Sequence, residues 1–555
     1  MLEPMRFVCG MLALGTLFAA WSQPSITSGG VVNNASYFGK GTVGSGIAQG
    51  SLFAIFGQGF GPSGVVPTAT SFPVETTLAG VSVDIHSGGA VLSALPLYVA
   101  TGQIGAILPS ATPLGSATVV VNYNGSSSQP EPVTVVTRNF GVFSVNQAGT
   151  GPAAAQNAAA DGTLSLNSPV NSVQPGQTVV LWGTGAGPVS GNEAAGPLPG
   201  NLSGFNLTVY VGGIPAIVRY VGRSGCCAGV DQINIVVPSA SITGCYVPVV
   251  VTGPALAGTA QNTQIPADHA VGNFTTLSIS ANGGACTDAS GLNAAQLARF
   301  EAGIDMTFGA LAFERAPQRL TPATIDSVSG GFGGYSPAAF FRSQGIFGLP
   351  APGTCVSSPM PLSQTAPVDP ALNYSLQAGT TLTINGPNGN GMRQATRNAD
   401  GSYDTGLGSA SGTPAPPFLS PGPFTVSNGS GGGDVGSFTA LFNMPAPLAW
   451  TNSTANFQGV TSPTLTWTGG TSGTLAVIAS VSYNDDAGFF ALCTVDSTTG
   501  SFTIPLYAYQ GNILLTSAAP GLLSLGTGAL SSFSNGALNA GFIWALAMNT
   551  GVYVQ

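Results

Sequence analysis

The segment GSLFAIFGQGFGP (Gly50 to Pro62) recurs without gaps as GQTVVLWGTGAGP (Gly176 to Pro188). Three further blocks recur in the same order. LAGVSVDI from Leu78 answers LSGFNLTVYV from Leu202, QIGAILPS from Gln103 answers QINIVVPS from Gln232, and LGSATVVV from Leu114 answers TGCYVPVVV from Thr243. Four ordered matches mean a duplicated unit, and a duplication restricts the fold more than composition does. Each block is a strand-sized apolar run ending in Gly or Pro, at the close spacing of a sandwich. The expectation is therefore a pair of immunoglobulin-like β-sandwiches.

Composition supports many strands joined by tight turns. Of 555 residues, 44% are apolar and only 6% charged, against roughly 25% charged in an ordinary soluble domain, while 80 Gly and 41 Pro punctuate the apolar runs. A chain of this length exceeds one hydrophobic core. The fold class read from the sequence is mainly β: tandem Ig-like sandwiches, one short helix in a connecting element, and a C-terminal β-sandwich. The spans are a signal peptide at 1–22, first sandwich at 23–150, duplicate at 151–255, a connecting α+β element at 256–350 and a C-terminal domain at 351–555. Between the copies, Asp161-Gly162 marks a hairpin turn. SGLNAAQLARFEAGI (Ser290 to Ile304) is the one persuasive helix, with Leu292, Leu297 and Phe300 near helical spacing and Asn293 or Ser290 as cap. In the last domain, Trp450 and Trp467 are the expected core anchors.

The blocks GxGxGP, LxGVxVxxxG, QI(N/G)xxxP and DGxLxLNSPxN together resemble an uncharacterised domain family of secreted proteins from Solibacter and other Acidobacteria, over Gly29 to Gly253. The region Ala378 to Pro505 resembles C-terminal regions that accompany it. The first copy departs at Gly105, where the second has Asn234. No activity is established for that family, so the resemblance implies secretion and tandem β-domains and carries over no catalytic residue.

Residues 1–22 combine Arg6, a short apolar run and Ala20-Trp21-Ser22, which predicts cleavage before Gln23. Cys9 lies inside that run without a lipobox. Six cysteines remain, Cys226, Cys227, Cys245, Cys286, Cys355 and Cys493, an even number that in an exported chain predicts three disulfides. Neighbouring cysteines rarely bond each other. The expected pairing thus joins Cys226 and Cys227 to Cys245 and Cys286 in either order, and Cys355 to Cys493. With no later run long enough to span a bilayer as a helix, the mature chain is expected at the bacterial cell surface or outside the cell, without a transmembrane segment.

Functional chemistry is sparse. The net charge is −9, and Lys40 is the only lysine. No basic patch exists to neutralise phosphate, which disfavours nucleic acid and anionic lipid. Two histidines, His86 and His269, limit triad chemistry, and no G-x-S-x-G elbow opens a helix. His86 is expected in a turn at a strand end. GQGFGPSG and GTGAGPVSG lack the Lys-Ser/Thr ending of a phosphate loop, so their glycines read as close-packing turns. Calcium candidates are Asn398, Asp400 and Asp404 in NADGSYD, and Asp485 and Asp486 in NDDAG; solvated turns are the simpler reading. Apart from such structural calcium, no cofactor is implied. Tyr483, Phe489, Phe490, Tyr507 and Tyr509 are candidates for stacking on sugar rings, against the commoner role of strand aromatics as core.

The resulting expectation is a secreted structural or adhesive protein without catalytic activity. Its expected partner is an extracellular protein or polysaccharide, with self-association through sheet edges. The alternatives are a carbohydrate-binding protein and a hydrolase hidden in the C-terminal domain.

Overall fold

The computed structural model describes residues 23–253, 271–317, 324–337, 348–361, 373–387, 391–408, 418–509, 521–549 and 552–554, apart from 43, 65, 203–205, 456, 458–459, 461 and 484–486. The leader, His269, Asp485 and Asp486 lie outside the described residues. Among the described residues, nearly all of the regular secondary structure is strand.

The two copies fold with the same register. Leu52–Gln58 pairs antiparallel with Gln103–Ile107, placing Phe56 opposite Gln103 and Leu52 opposite Ile107. Thr178–Thr184 pairs with Asp231–Val236 so that Trp182 faces Gln232 and Thr178 faces Val236. These are equivalent positions in the aligned blocks. In each copy a second sheet is built on the strand that follows Gly115 or Gly244. Side chains alternate along the strands: Val81, Val83 and Ile85 are buried while the residues between them face outward. The first core gathers Phe53, Ile55, Val83, Ile104 and Val121, and the second Leu181, Val209, Ile233, Val249 and Leu277.

Both GxGxGP segments are close-packing turns. A Cβ on Gly183 would overlap the Gly141 carbonyl oxygen and the Phe140 ring, and one on Gly57 would overlap the Ser25 carbonyl oxygen and the Phe60 ring. The next glycine in each copy, Gly59 or Gly185, has positive φ, at 71° and 105°. The departure at Gly105 also has a cause: the Tyr98 ring lies where a side chain on Gly105 would stand. The Tyr98 hydroxyl accepts a hydrogen bond from Gln103 Nε2 at 2.7 Å. In the second copy, Asn234 Oδ1 instead accepts from Gln232 Nε2 at 2.7 Å.

The hairpin between the copies forms as expected. Ala155–Ala158 pairs with Leu164–Leu166, and Gly162 turns at φ 86° beside Asp161, whose carboxylate accepts from Thr163 N at 2.9 Å. The helix spans Ala294–Glu301. Asn293 caps it, with Gln296 returning the bond to the cap backbone, and Leu292, Leu297 and Phe300 are buried.

The expected connecting element at 256–350 is not a separate unit. Thr275–Ile279 pairs with Gly244–Thr252 and completes the second sandwich, whose other sheet begins at Gly141–Val142, before residue 151. Met306–Pro317 and Thr324–Tyr335 form a twelve-residue antiparallel pair inside the C-terminal domain's ten-stranded sheet, where Met306–Pro317 also runs parallel to Ala540–Met548. Parallel neighbours need a long crossover, so sequence proximity to the helix does not reveal this assignment. A four-stranded sheet covers part of that surface through a core of Phe313, Phe332, Phe424, Phe442 and Ile543. Phe313 and Phe442 stack at 4.3 Å.

Several edge strands carry proline, while the long edge strand Ser25–Asn33 is broken instead by a bulge between Ile26 and Val31. Pro96 lies in the outer strand Leu95–Val99, Pro152 in Gly151–Pro152, Pro215 in Ile214–Pro215, and Pro359 and Pro361 in Thr354–Pro361. Proline cannot donate to an incoming strand, which limits edge-to-edge pairing in a chain with little charge to do so.

Candidate functional site

Among the described residues three disulfides form, but the two bonds expected to join Cys226 and Cys227 to Cys245 and Cys286 do not. Cys226 bonds its neighbour Cys227, Cys245 bonds Cys286, and Cys355 bonds Cys493 as expected. The reason is sheet placement. Cys226 and Cys227 are exposed in the loop after Ile217–Arg223, whereas Cys245 lies buried in the opposite sheet, with buried Cys286 beside it. Cys355 and Cys493 are direct cross-strand partners.

The loop carrying the Cys226–Cys227 pair docks on the first sandwich. Arg223, at its base, lies 2.9 Å from Asp231 through Nε and Oδ1, and the two side chains are 2% and 0% exposed. Arg223 Nη1 donates to the Gly50 carbonyl at 2.7 Å, and Nη2 to the Gly187 carbonyl at 3.0 Å. The other Asp231 oxygen accepts from the Gly185 and Ala186 amides at 2.8 and 2.7 Å. Burial pushes the Asp231 carboxyl up to about 6, outweighing the downward pull of Arg223 and the two amides. Thus the GxGxGP turn of one copy is fixed, through an arginine of the inserted loop, to Gly50 at the start of the other copy's matching block.

Further contacts close this junction. Thr184 Oγ1 accepts from Leu52 N and donates to the Gly229 carbonyl, both at 2.8 Å. Glu193 accepts from both the amide and the hydroxyl of Ser110. Around them Leu52, Val74, Leu95 and Ile107 of the first sandwich share a small apolar core with Ala228 and Val230 of the second. Asn273 Nδ2 donates to the Ala35 carbonyl of the first sandwich at 3.4 Å, and to the carbonyls of Val142 and Gly149 at 2.8 and 2.7 Å. The second sandwich is cored against the C-terminal domain in turn. Val250 and Phe274 pack with Trp467, Ile478 and Cys493, and Tyr210 stacks on Tyr507 at 4.6 Å.

That packing decides the aromatic candidates. Phe489, Tyr507 and Tyr509 are buried, and burial raises both tyrosine hydroxyls above their ordinary range. Phe490 is half-buried, and the Tyr483 side chain lies outside the described residues. The two tyrosines and Phe489 are therefore core, not a sugar platform. Trp467 is buried and Trp450 half-buried against the same core, paired across two strands as the expected anchors.

The acidic turn has structural partners. Asp400 Oδ1 accepts from Ser402 N at 2.9 Å, a bond that holds its carboxyl below the ordinary range, and Asp404 Oδ1 accepts from Gly330 N at 2.7 Å. Asn398 Nδ2 donates to Ser402 Oγ at 2.9 Å. Among the described residues, no three His, Cys, Asp or Glu side chains are grouped to hold a metal ion.

One cleft is lined by residues of the first sandwich alone. It encloses about 400 Å³ on the first sandwich and is lined by Lys40 and His86 together with Ser45, Ser116, Thr118 and Thr134. His86 is not in a turn: Val81–Ser87 continues past it, and strand alternation turns its side chain outward, opposite Thr118. Thr118 in turn faces Pro132. The other wall comes from the bulge between Ile26 and Val31, where Gly29 N donates to Glu131 Oε1 at 2.7 Å. Sequence reasoning noted Lys40 only for its rarity and did not single out Arg223 or Asp231; the usable signal was that Arg223 opens the insertion unique to the second copy.

No family model and no curated protein matches the chain. Similar solved structures include the tetra-tandem repeat in the extending region of a large adhesion protein, at 12% identity over 91% of this chain and 96% of that one, with a TM-score of 0.14. Sidekick-1 immunoglobulin domains 1–4 match at 8% identity over 92% and 94%, with a TM-score of 0.11. Domains 5–6 of the S-layer protein SbsC match at 13% identity over 41% and 91%, with a TM-score of 0.14. At such scores the likenesses carry no argument about function, and the all-β class rests on this chain's own strands. Among the described residues no helix is long and apolar enough to cross a membrane.

Proposed function

We propose that this chain is an exported structural or adhesive protein of the bacterial cell exterior, working as a fixed stack of β-sandwiches and without catalytic activity. The observation that carries the reading is the closed junction at Arg223, Asp231 and Gly50, where a buried ion pair and a shared apolar core lock two domains together. Interfaces between domains that must move are ordinarily smaller and more polar. Three disulfides support an oxidising compartment, and the leader and the Acidobacteria-type motifs support export. The buried carboxylates Asp231 and Asp326 are each set beside an arginine, and Asp231 also accepts from two backbone amides and Asp326 from one. Those roles favour structure over acid–base chemistry.

The test is surface labelling of intact cells with a membrane-impermeant reagent, together with small-angle scattering of the mature chain. Labelled protein with oxidised cysteines and a scattering curve fitted by one arrangement of domains is the expected result. A reduced, cytoplasmic protein, or a curve that requires freely moving sandwiches, overturns the reading.

A further inference from the structure

In a chain carrying net charge −9, the only lysine and one of the two histidines line the same cleft, at about 400 Å³. That volume lies at the low end of small-molecule sites, roughly 300–1,000 Å³. No carboxylate is among the residues lining it. Glu131, next in sequence to the lining residue Pro132, accepts from the Gly29 amide at 2.7 Å. The rest of the lining is rich in hydroxyls: Ser45, Ser116, Thr118 and Thr134. Lysine offers a point charge with three donors, and serine and threonine both donate and accept.

We propose that this cleft binds an acidic sugar residue of an extracellular polysaccharide, with the sugar carboxylate at Lys40 and His86 and its hydroxyls on the serine and threonine wall. A polyhydroxylated ring meets this lining better than a peptide does, because the wall supplies hydroxyl partners on several sides. Neutral sugars held by stacking are a poorer fit, since no Phe, Tyr or Trp side chain lines the cleft. The cleft is lined by first-sandwich residues alone and shares none of them with the Arg223, Asp231 and Gly50 contacts, so it adds a ligand to the adhesive reading without resting on domain rigidity.

The experiment is calorimetric titration of the mature chain with an oligogalacturonate, its methyl ester and poly-glutamate, using the native protein, Lys40→Gln and His86→Gln. Both side chains are exposed, so both variants should keep the native melting profile. The expected result is binding of the acidic oligomer, loss on esterification, and weakening of about tenfold or more in Lys40→Gln, the scale of losing a hydrogen bond to a charged group. His86→Gln should weaken binding as well. The proposal is overturned if the acidic oligomer does not bind, if the ester binds equally well, if Lys40→Gln binds like the native chain, or if poly-glutamate binds as tightly. Surface location and a single scattering arrangement would be untouched by such a failure, which separates it from failure of the adhesive reading.

Discussion

Replacing Arg223 by alanine tests the junction most directly. The substitution removes a guanidinium 2% exposed, leaves Asp231 without its partner at 2.9 Å, and strips donors from the Gly50 and Gly187 carbonyls at 2.7 and 3.0 Å. Breaking a buried pair from one side costs about 3–5 kcal/mol, because a charge stays buried without compensation. The pH dependence sharpens the test. The folded carboxyl titrates near 6, above its ordinary 3.8, so the folded chain holds the extra proton between those values and the unfolded chain does not. This group therefore adds stability as pH falls from about 6 toward 4, and that contribution is lost as pH rises through 6. Without Arg223 the main downward influence on Asp231 disappears and its titration moves higher. The cost of Arg223→Ala, measured by urea unfolding, should be largest near pH 7.5 and smaller at pH 5, where Asp231 is neutral in both proteins. Hydrogen exchange should quicken in Leu52–Gln58, whose first amide is anchored across the junction. A loss below about 1 kcal/mol at every pH would refute the reasoning, since a buried pair that matters cannot be broken from one side so cheaply.

Other outcomes follow from the same geometry. Replacing both Cys355 and Cys493 by alanine should cost about 2–4 kcal/mol, because that bond joins positions 138 apart, whereas replacing Cys226 and Cys227 removes a bond of separation 1 and should leave the melting temperature nearly unchanged. Trp467→Ala empties a buried site and removes the bond from its Nε1 to the Ser497 carbonyl at 2.7 Å. A loss of about 3–5 kcal/mol is expected by denaturant unfolding. Asn293→Ala removes the side-chain acceptor of the Gln296 amide while leaving the bond from its own backbone amide to Gln296, and should cost about 1 kcal/mol, read as faster amide exchange in Ala294–Glu301.

Much of this molecule was legible in its residues because the governing forces are short-ranged. The Asn293 cap acts on an amide three residues away, the Asp161-Gly162 turn closes its own hairpin, and strand alternation decides which of Val83 and Asp84 is buried. The duplication carried further, since copies with matched blocks repeat the same register, as Phe56 and Trp182 show opposite Gln103 and Gln232. Local pattern, however, does not choose between distant partners. Cys226 bonds Cys227 because the inserted loop leaves the sheet opposite to Cys245. Thr275–Ile279 and Met306–Pro317 join different sheets although a single short helix separates them. Arg223 meets Gly50, and Lys40 meets the lining around His86, only when sandwiches and sheets close on one another. Turns, caps and alternation belonged to the sequence alone; the junction, the cleft and the pairing of Cys226 with Cys227 were decided by tertiary packing, which sets contacts between residues that local propensity cannot relate.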